Sequence, residues 1–276
     1  MSSSIKVLQW NILAQGFANF HDFRFLKKDG LPFDKRLRQI VKIISEQNPD
    51  IFCLEECDIH LDIEREINST RPGEYSHQFL LKNKSACLSM AVNHGPDGIA
   101  IFFKKDKYSC FQVEQYPLNV HRQRNCLVMV FREEVSQKKF RIAVTHLKSK
   151  KQYSQVRLDE GNLMLSKLQN DLPLFLCGDF NAEPDEEVIK QIKQSQFKSA
   201  YEEELSSEPP FTTYKYIHGA RSKETDVKHT IDYIFYRNAT LVGTHALPNV
   251  DEIPEIGLPN EDYPSDHLFL VAEFKI

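Results

Sequence analysis

The 276-residue sequence predicts a single mixed α/β domain. Three observations carry that expectation: short runs rich in Val, Ile and Phe, amphipathic helical segments set irregularly between them, and no Gly/Ser-rich linker, internal repeat or low-complexity tract to divide the chain. The runs expected as strands are 6–12, 50–54, 98–103, 125–131, 140–146, 172–177, 230–236 and 268–276. Leu37, Ile40, Val41 and Ile44 recur at helical spacing before Pro49 stops the segment. Leu158, Leu165 and Leu168 mark a second helix, and 186–194 a third. Hairpins are expected near 104–112 and 133–139. The polar segment 206–228, with Pro209-Pro210, reads as a long loop of the kind that often carries function.

Composition narrows the classes further. Hydrophobic residues at 41% and aromatics at 11% supply enough apolar surface to offset chain entropy, which excludes a disordered chain. No apolar run approaches the ~18 to 20 residues of a membrane helix, so no membrane partner is expected. A net charge of −4 argues against coating long nucleic acid through overall charge, though a local basic pocket is compatible with it. Cys53, Cys57, Cys87, Cys110, Cys126 and Cys177 form no CxxC pair, and three lie within apolar runs, as buried reduced thiols do. Met1 to Ser4 lead straight into a strand-like run with no signal or transit pattern, so a cytoplasmic or nuclear location is expected, and the sequence implies no particular protein partner.

Several apolar runs end in polar groups that a core does not require. Asn11 follows Trp10, Glu55 and Glu56 follow Leu54, His146 and Lys148 follow Val144, and Asp179-Phe180-Asn181 follows Cys177. On a continued strand, a period of two would send Asp179 and Asn181 to one face and Phe180 into the core. Asp266 and His267 precede the last strand, where neighbours point apart, so the imidazole needs a carboxylate from elsewhere and Asp232 is the expected partner. The oxygen-rich set Glu56, Asp179, Asn181, Asp266 and Asn11 suits a hard ion that keeps water and binds phosphate, which describes Mg²⁺ better than Zn²⁺.

The segments LQWNILAQ, CLEE, THLK, CGDFNAEP, HTIDYIFY and YPSDH resemble the endonuclease/exonuclease/phosphatase family of metal-dependent phosphoesterases over nearly the whole chain. Within it, HGPDGIAIFF, AVTHLK, GDFNAEP, SEPPFTTYK and HTIDYIFY are most similar to the nocturnin branch, which is related to the poly(A)-removing deadenylases. The resemblance implies one catalytic domain over 1–276, an α/β fold of two face-to-face mixed β-sheets flanked by helices, a four-layer sandwich with its site where strand ends converge. It makes Glu56 the metal-binding glutamate, with Asn11 beside it and Asp266 in the second metal-facing position. Asp179 would position or activate the attacking water, Asn181 would hold the phosphate, and His146 would donate to the phosphoryl oxygens. His267, oriented by Asp232, would contact the phosphate and share base duty.

The cofactor implied is Mg²⁺, with Mn²⁺ as the alternative. The implied reaction removes the 2′-phosphate of NADP⁺ or NADPH, with Lys82, Lys148 and Lys150 as substrate cations. The branch leads one to expect Arg where Lys150 stands, and Lys lacks the bidentate guanidinium fork. Phe211, in an FT-x-Y context, is expected to stack on a base. Glu183, Asp185 and Glu186 read as acids that favour a helix start. Two rival functions are a 3′–5′ exoribonuclease acting on poly(A) RNA ends and a catalytically silent RNA-associated adaptor.

Overall fold

The computed structural model describes residues 4–20, 32–71, 73–119, 123–217, 225–254 and 257–276. Its strands form where β-branched and aromatic residues concentrate. In chain order they are β1 (Ser4–Asn11), β2 (Ile51–Glu55), β3 (Tyr75–Leu81), β4 (Gly98–Lys104), β5 (Tyr108–Pro117), β6 (Asn125–Glu133) and β7 (Lys139–His146). There follow β8 (Leu174–Asp179), β9 (Lys198–Ser199), β10 (Thr213–Ile217), β11 (Thr225–His229), β12 (Asp232–Arg237), β13 (Thr240–Thr244) and β14 (Leu270–Lys275). The α-helices are α1 (Gln15–Phe20), α2 (Phe33–Gln47), α3 (His60–Thr70), α4 (Ser154–Lys167), α5 (Glu187–Gln194) and α6 (Ala200–Leu205).

One sheet has the order β13-β14-β1-β2-β4-β3 and the other β5-β6-β7-β8-β12-β9, while β10 and β11 form a separate hairpin. Each large sheet contains one parallel pair, β1/β2 in the first and β7/β8 in the second. A parallel pair needs a crossover, and α2 and α4 lie in those two connections. Between the sheets, Ile5, Val7, Ile51 and Cys53 share a core with Ile142, Val144, Phe175 and Cys177. On the outer faces, Leu8 and Trp10 pack with Ile40 and Ile44 of α2, and Leu174 and Leu176 with Met164 of α4 and Val188 of α5. Burying one such side chain contributes about 1.5–3 kcal/mol, so the three apolar layers hold the four structural layers together. This is the sandwich that the resemblance implies.

The same alternation builds the site. Residues two apart share a face, so the row facing the second sheet runs Ile5, Val7, Gln9, Asn11 on β1 and Ile51, Cys53, Glu55 on β2. On the opposing sheet it runs Ile142, Val144, His146 on β7 and Phe175, Cys177, Asp179 on β8, and antiparallel β12 begins with Asp232 before Ile234. Each row changes from apolar to polar at the same end of the sandwich.

Several expectations need correction. The segment 206–228 is not loop throughout, because the alternating Thr213-Tyr214-Lys215 run makes β10, which pairs with β11. The 133–139 hairpin joins β6 to β7, but the turn after β4 passes from one sheet to the other, since β5 pairs with β6 rather than β4. Among the described residues, no helix is long and apolar enough to cross a membrane.

Candidate active site

His146, Asp179 and Asp232 are register neighbours across β7, β8 and β12, so one rung of the second sheet carries an imidazole and two acids. Asn11 reaches them from the first sheet, its Nδ2 donating to Asp179 Oδ2 at 3.0 Å. The rung is tight because β8 has a glycine before Asp179: a Cβ at Gly178 would lie 2.2 Å from the Thr145 carbonyl oxygen.

Asp179 is held on both oxygens, since Oδ1 accepts the Asn181 N–H at 2.8 Å. Burial and then the facing Asp232 push its carboxyl up to about 7, against the pull of His267 and of the two hydrogen bonds. His146 Nε2 stands 3.5 Å, and His267 Nε2 3.9 Å, from Asp179 Oδ2.

His267 has the expected partner: Nδ1 donates to Asp232 Oδ2 at 2.9 Å. Asp232 is fixed in turn by Thr212 Oγ1 at 2.7 Å and by Gln9 Nε2 at 3.3 Å. Burial opposes a charge on His267, but Asp232 and then Asp266 outweigh it and raise the imidazole to about 9. The main chain is anchored as well, with Trp10 Nε1 donating to the His267 carbonyl at 2.8 Å. His146 has the opposite fate. Burial, followed by Lys82, Arg124 and His267, holds it well below the usual imidazole range, so it is neutral at pH 7. The site therefore presents one charged and one neutral imidazole to the same carboxylate.

Glu56 follows β2 in the left-handed region, φ 50°, a turn that takes it out of the strand row. Its carboxyl is raised by burial and then by Asp266 and Asp97, while Lys82 and His267 pull the other way. An acid crowded by acids at the wall of a cleft is a fit for a hard cation. Asp179, Asp232 and His267 also offer donor atoms all within 4.8 Å of one another. Asn11, expected beside the metal, lies in hydrogen-bond contact with this cluster. Its Oδ1 accepts the Leu13 N–H at 3.0 Å and its Nδ2 holds Asp179, which fixes the amide in one orientation.

Glu56, Lys82, Arg124, His146, Asp179 and His267 line a cavity of about 450 Å³. Lys82 Nζ is braced by Asp97 at 3.1 Å. Lys148 Nζ lies 4.6 Å from the centre of the Tyr153 ring. Burial lowers the Lys148 pKa, and Arg124, Lys150 and Lys82 lower it further. Lys150 lines an adjoining cavity of about 600 Å³ with Arg157, Glu183 and His229, and the two cavities share Asn181 and Lys215.

Three further expectations change. Asn181 reaches the site by a left-handed residue, φ 51°, after β8 has ended at Asp179, rather than by continuing the strand. Phe211 is buried with Tyr214, Leu258 and Leu268, so its ring belongs to a small core and has no open face for a base. Glu183 does more than favour a helix start: it pairs with His229 and accepts the Thr230 N–H at 3.1 Å. Sequence reasoning overlooked Gln9, Arg124 and Lys215. Gln9 was legible in the Val7-Gln9-Asn11 alternation, and Lys215 in the alternation of Thr213 and Lys215.

A four-layer sandwich whose polar strand ends carry an acid, an Asp–His pair and a cation-lined cleft defines a metal-dependent phosphoesterase. Comparison with known proteins agrees: the endonuclease/exonuclease/phosphatase family profile matches residues 8–267, and the chain belongs to that family. It is 37% identical to nocturnin of Mus musculus over 99% of this chain and 66% of that protein, so it spans just under two thirds of that relative's length. The human nocturnin catalytic domain, solved with a bound sulfate anion, is 32% identical and superposes with a TM-score of 0.80, covering 99% of this chain and 95% of that one. ANGEL2, described as a 2′,3′-cyclic phosphatase, shares the fold at 22% identity and a TM-score of 0.81, over 100% of this chain and 96% of its own.

Proposed function

We propose that this chain removes the 2′-phosphate of NADP⁺ and NADPH with Mg²⁺ held at Glu56, Mn²⁺ being the alternative. The observation that carries this reading is the pair of adjoining cavities of about 450 and 600 Å³ that share Asn181 and Lys215. Such a bipartite pocket matches a compact dinucleotide, with its terminal phosphate over the acids and its remainder along the Lys150 wall. Similarity to nocturnin supports the same reading, as does the sulfate bound by the human relative, an anion of phosphate shape.

A divalent ion, when bound, would be held by Glu56 and would supply positive charge that offsets the charge developing in phosphoryl transfer. Asp179 takes the proton of the attacking water. Asn11 and Asn181 fix its two oxygens so that the carboxylate keeps one orientation. His267, charged through Asp232, directs its Nε2–H at the phosphoryl oxygens, and neutral His146 adds a second N–H without repelling it. Water adds to phosphorus, the P–O bond to the ribose breaks, and the 2′-oxygen leaves as a hydroxyl on taking a proton from solvent, to which Asp179 then releases its own.

The test measures phosphate released from NADP⁺ and NADPH beside shortening of oligo(A), in one Mg²⁺ buffer, with Glu56→Ala as the control. Phosphate release that depends on Glu56 is the expected result. Glu56-dependent shortening of oligo(A) with no phosphate release replaces the reading with the exoribonuclease, and neither activity replaces it with the adaptor.

A further inference from the structure

Arg124 precedes β6, is only 8% exposed, and lines the cavity that holds Glu56, Asp179 and His267. It has no part in the steps above. Its Nη1 donates to the Gln123 carbonyl at 2.9 Å, and its own carbonyl accepts the Leu118 N–H at 2.8 Å. The other edge of the guanidinium is unmatched. Among the described residues neither Nε nor Nη2 has a hydrogen-bond partner, Nε is shut off from solvent, and no carboxylate forms an ion pair with the group. Buried Glu160 feels its charge, but the Glu160 oxygens accept from Asn119 Nδ2 at 3.2 Å and from the Lys148 N–H at 3.0 Å. A buried N–H without an acceptor is costly, and the Nε/Nη2 edge is a planar pair of donors that an oxyanion can engage with two parallel bonds.

Beside Arg124 is a recess of about 20 Å³, room for about one water-sized group, lined also by Lys82, Asp97 and His146. Arg124, Lys82 and His146 line this recess and the larger cavity alike. Asp97 does not cancel Arg124, because its Oδ2 pairs with Lys82 Nζ at 3.1 Å and its Oδ1 accepts from Ser85 Oγ. Two cations against one acid leave the recess positive, next to an imidazole that is neutral.

We propose that Arg124 binds the reacting phosphate beside His146 and makes the site selective for a phosphate monoester over a diester. The inference rests on the proposed function and names what would set a terminal 2′-phosphate apart from an internal RNA linkage. Three oxygens stand around phosphorus at right angles to the line of attack and departure in an in-line displacement. In a monoester all three are non-bridging and share two negative charges. In a diester one of them carries the second ester group, and a single charge remains. His146 and His267 engage phosphoryl oxygens in the steps above, so the oxygen left for the recess is a charged one in a monoester and an esterified one in a diester. A recess for one water-sized group admits the first and excludes the nucleoside on the second. An unpaired, buried guanidinium also gains more from a dianion than from a monoanion.

Isothermal titration calorimetry with inorganic phosphate, and with dimethyl phosphate as the diester, reads this without turnover in the Mg²⁺ buffer at pH 8. The wild type should bind phosphate about tenfold or more tightly than dimethyl phosphate, and Arg124→Gln should lose about tenfold or more of the phosphate affinity with little change for dimethyl phosphate. A purely structural role would weaken both anions together. Arg124→Lys keeps the charge and loses the fork, so its phosphate affinity should lie between the two, and it carries the test should Arg124→Gln fail to fold. Equal affinity of the wild type for the two anions overturns the inference, as does an unchanged phosphate affinity in either folded variant or a parallel loss of both anions. Should the wild type shorten oligo(A) and release no phosphate from NADP(H), the proposed function falls, while Arg124-dependent preference for phosphate over dimethyl phosphate stands apart from it.

Discussion

Asp179 and Asp232 are direct cross-strand partners on β8 and β12, so the sandwich sets two buried acids side by side at the end of its core. Their surroundings separate their roles. Asp232 faces His267 Nδ1 at 2.9 Å and Thr212 Oγ1 at 2.7 Å, whereas Asp179 receives two N–H donors and is pushed up to about 7. On the proposed mechanism, these surroundings would make one of two like groups a charge partner and the other a proton acceptor.

Replacing Asp232 by Asn tests that division. The amide keeps the shape and removes the charge that raises His267, so the His267 pKa should fall from about 9 and the imidazole should become largely neutral at pH 7. Turnover should drop by about 10²-fold or more, on the scale of a lost general acid–base contribution. Following the His267 Cε1–H resonance against pH checks it directly. An unmoved titration together with an unchanged rate would show that the two side chains do not act as a pair.

Glu56→Ala should abolish turnover at ordinary Mg²⁺ and leave the fold intact. The charge of Glu56 is disfavoured by burial and by Asp266 and Asp97, and its one printed hydrogen bond, from the Ala14 N–H, is long at 3.4 Å, so removing the carboxylate relieves repulsion at small cost. A thermal melt in EDTA should show a midpoint equal to or above that of the wild type. A fully active variant would remove Glu56 from the metal site, and a lower midpoint would make it structural.

The legible part of this protein follows one rule. Asn11, His146, Asp179 and Asp232 were readable because each is the polar member of an otherwise apolar period-two row, and a polar residue there must be satisfied by something. Asn181 arrives by a left-handed residue, and no periodicity reports that. Lys215 sits in a visible Thr213/Lys215 alternation, but Pro209-Pro210 punctuates the segment as loop and the pairing that makes β10 comes from β11, so neither it nor Phe211 was placed. β5 alternates weakly because much of it is exposed, so burial did not shape its sequence. Local pattern thus encodes what is buried between sheets, and it is silent where a backbone turn or a distant strand decides.

Metal and pH should be linked with a definite sign. A carboxyl whose folded pKa is raised contributes stability below its ordinary range and loses it as pH rises through the folded value. Asp179, raised from 3.8 to about 7, and Glu56, raised in the same direction, should make the metal-free protein less stable as pH rises from about 4 to 7. His267, raised from 6.5 to about 9, adds a further loss as pH rises from about 6.5 to 9. Mg²⁺ binds the ionised acids, so the rise in melting temperature on adding it should be larger at pH 8 than at pH 5.5. Each proton displaced changes apparent binding tenfold per pH unit, about 1.4 kcal/mol. An increase of equal size at both pH values would mean that neither acid is linked to the ion.

The cations of the two cavities should divide between gripping the reacting phosphate and selecting the rest of the substrate. Lys148 lines neither cavity but sits close enough to Arg124, Lys150 and Lys82 for their charges, after burial, to lower its pKa, so on the proposed function Lys148→Ala removes like-charge repulsion along with a cation near the phosphate. Its KM for NADP(H) should rise about tenfold or more, with thermal stability held or slightly raised. Lys150 stands on the adjoining wall at φ 80°, a conformation that Arg adopts at the same cost, so Lys150→Arg changes the head group and little else. The guanidinium offers a planar fork where the ammonium offers a point charge, and KM for NADP(H) should fall a few-fold with kcat nearly constant. Steady-state kinetics on both variants, with salt varied, make the check. If Lys150→Arg improved oligo(A) shortening and left NADP(H) untouched, the second cavity would be a strand path rather than a dinucleotide pocket.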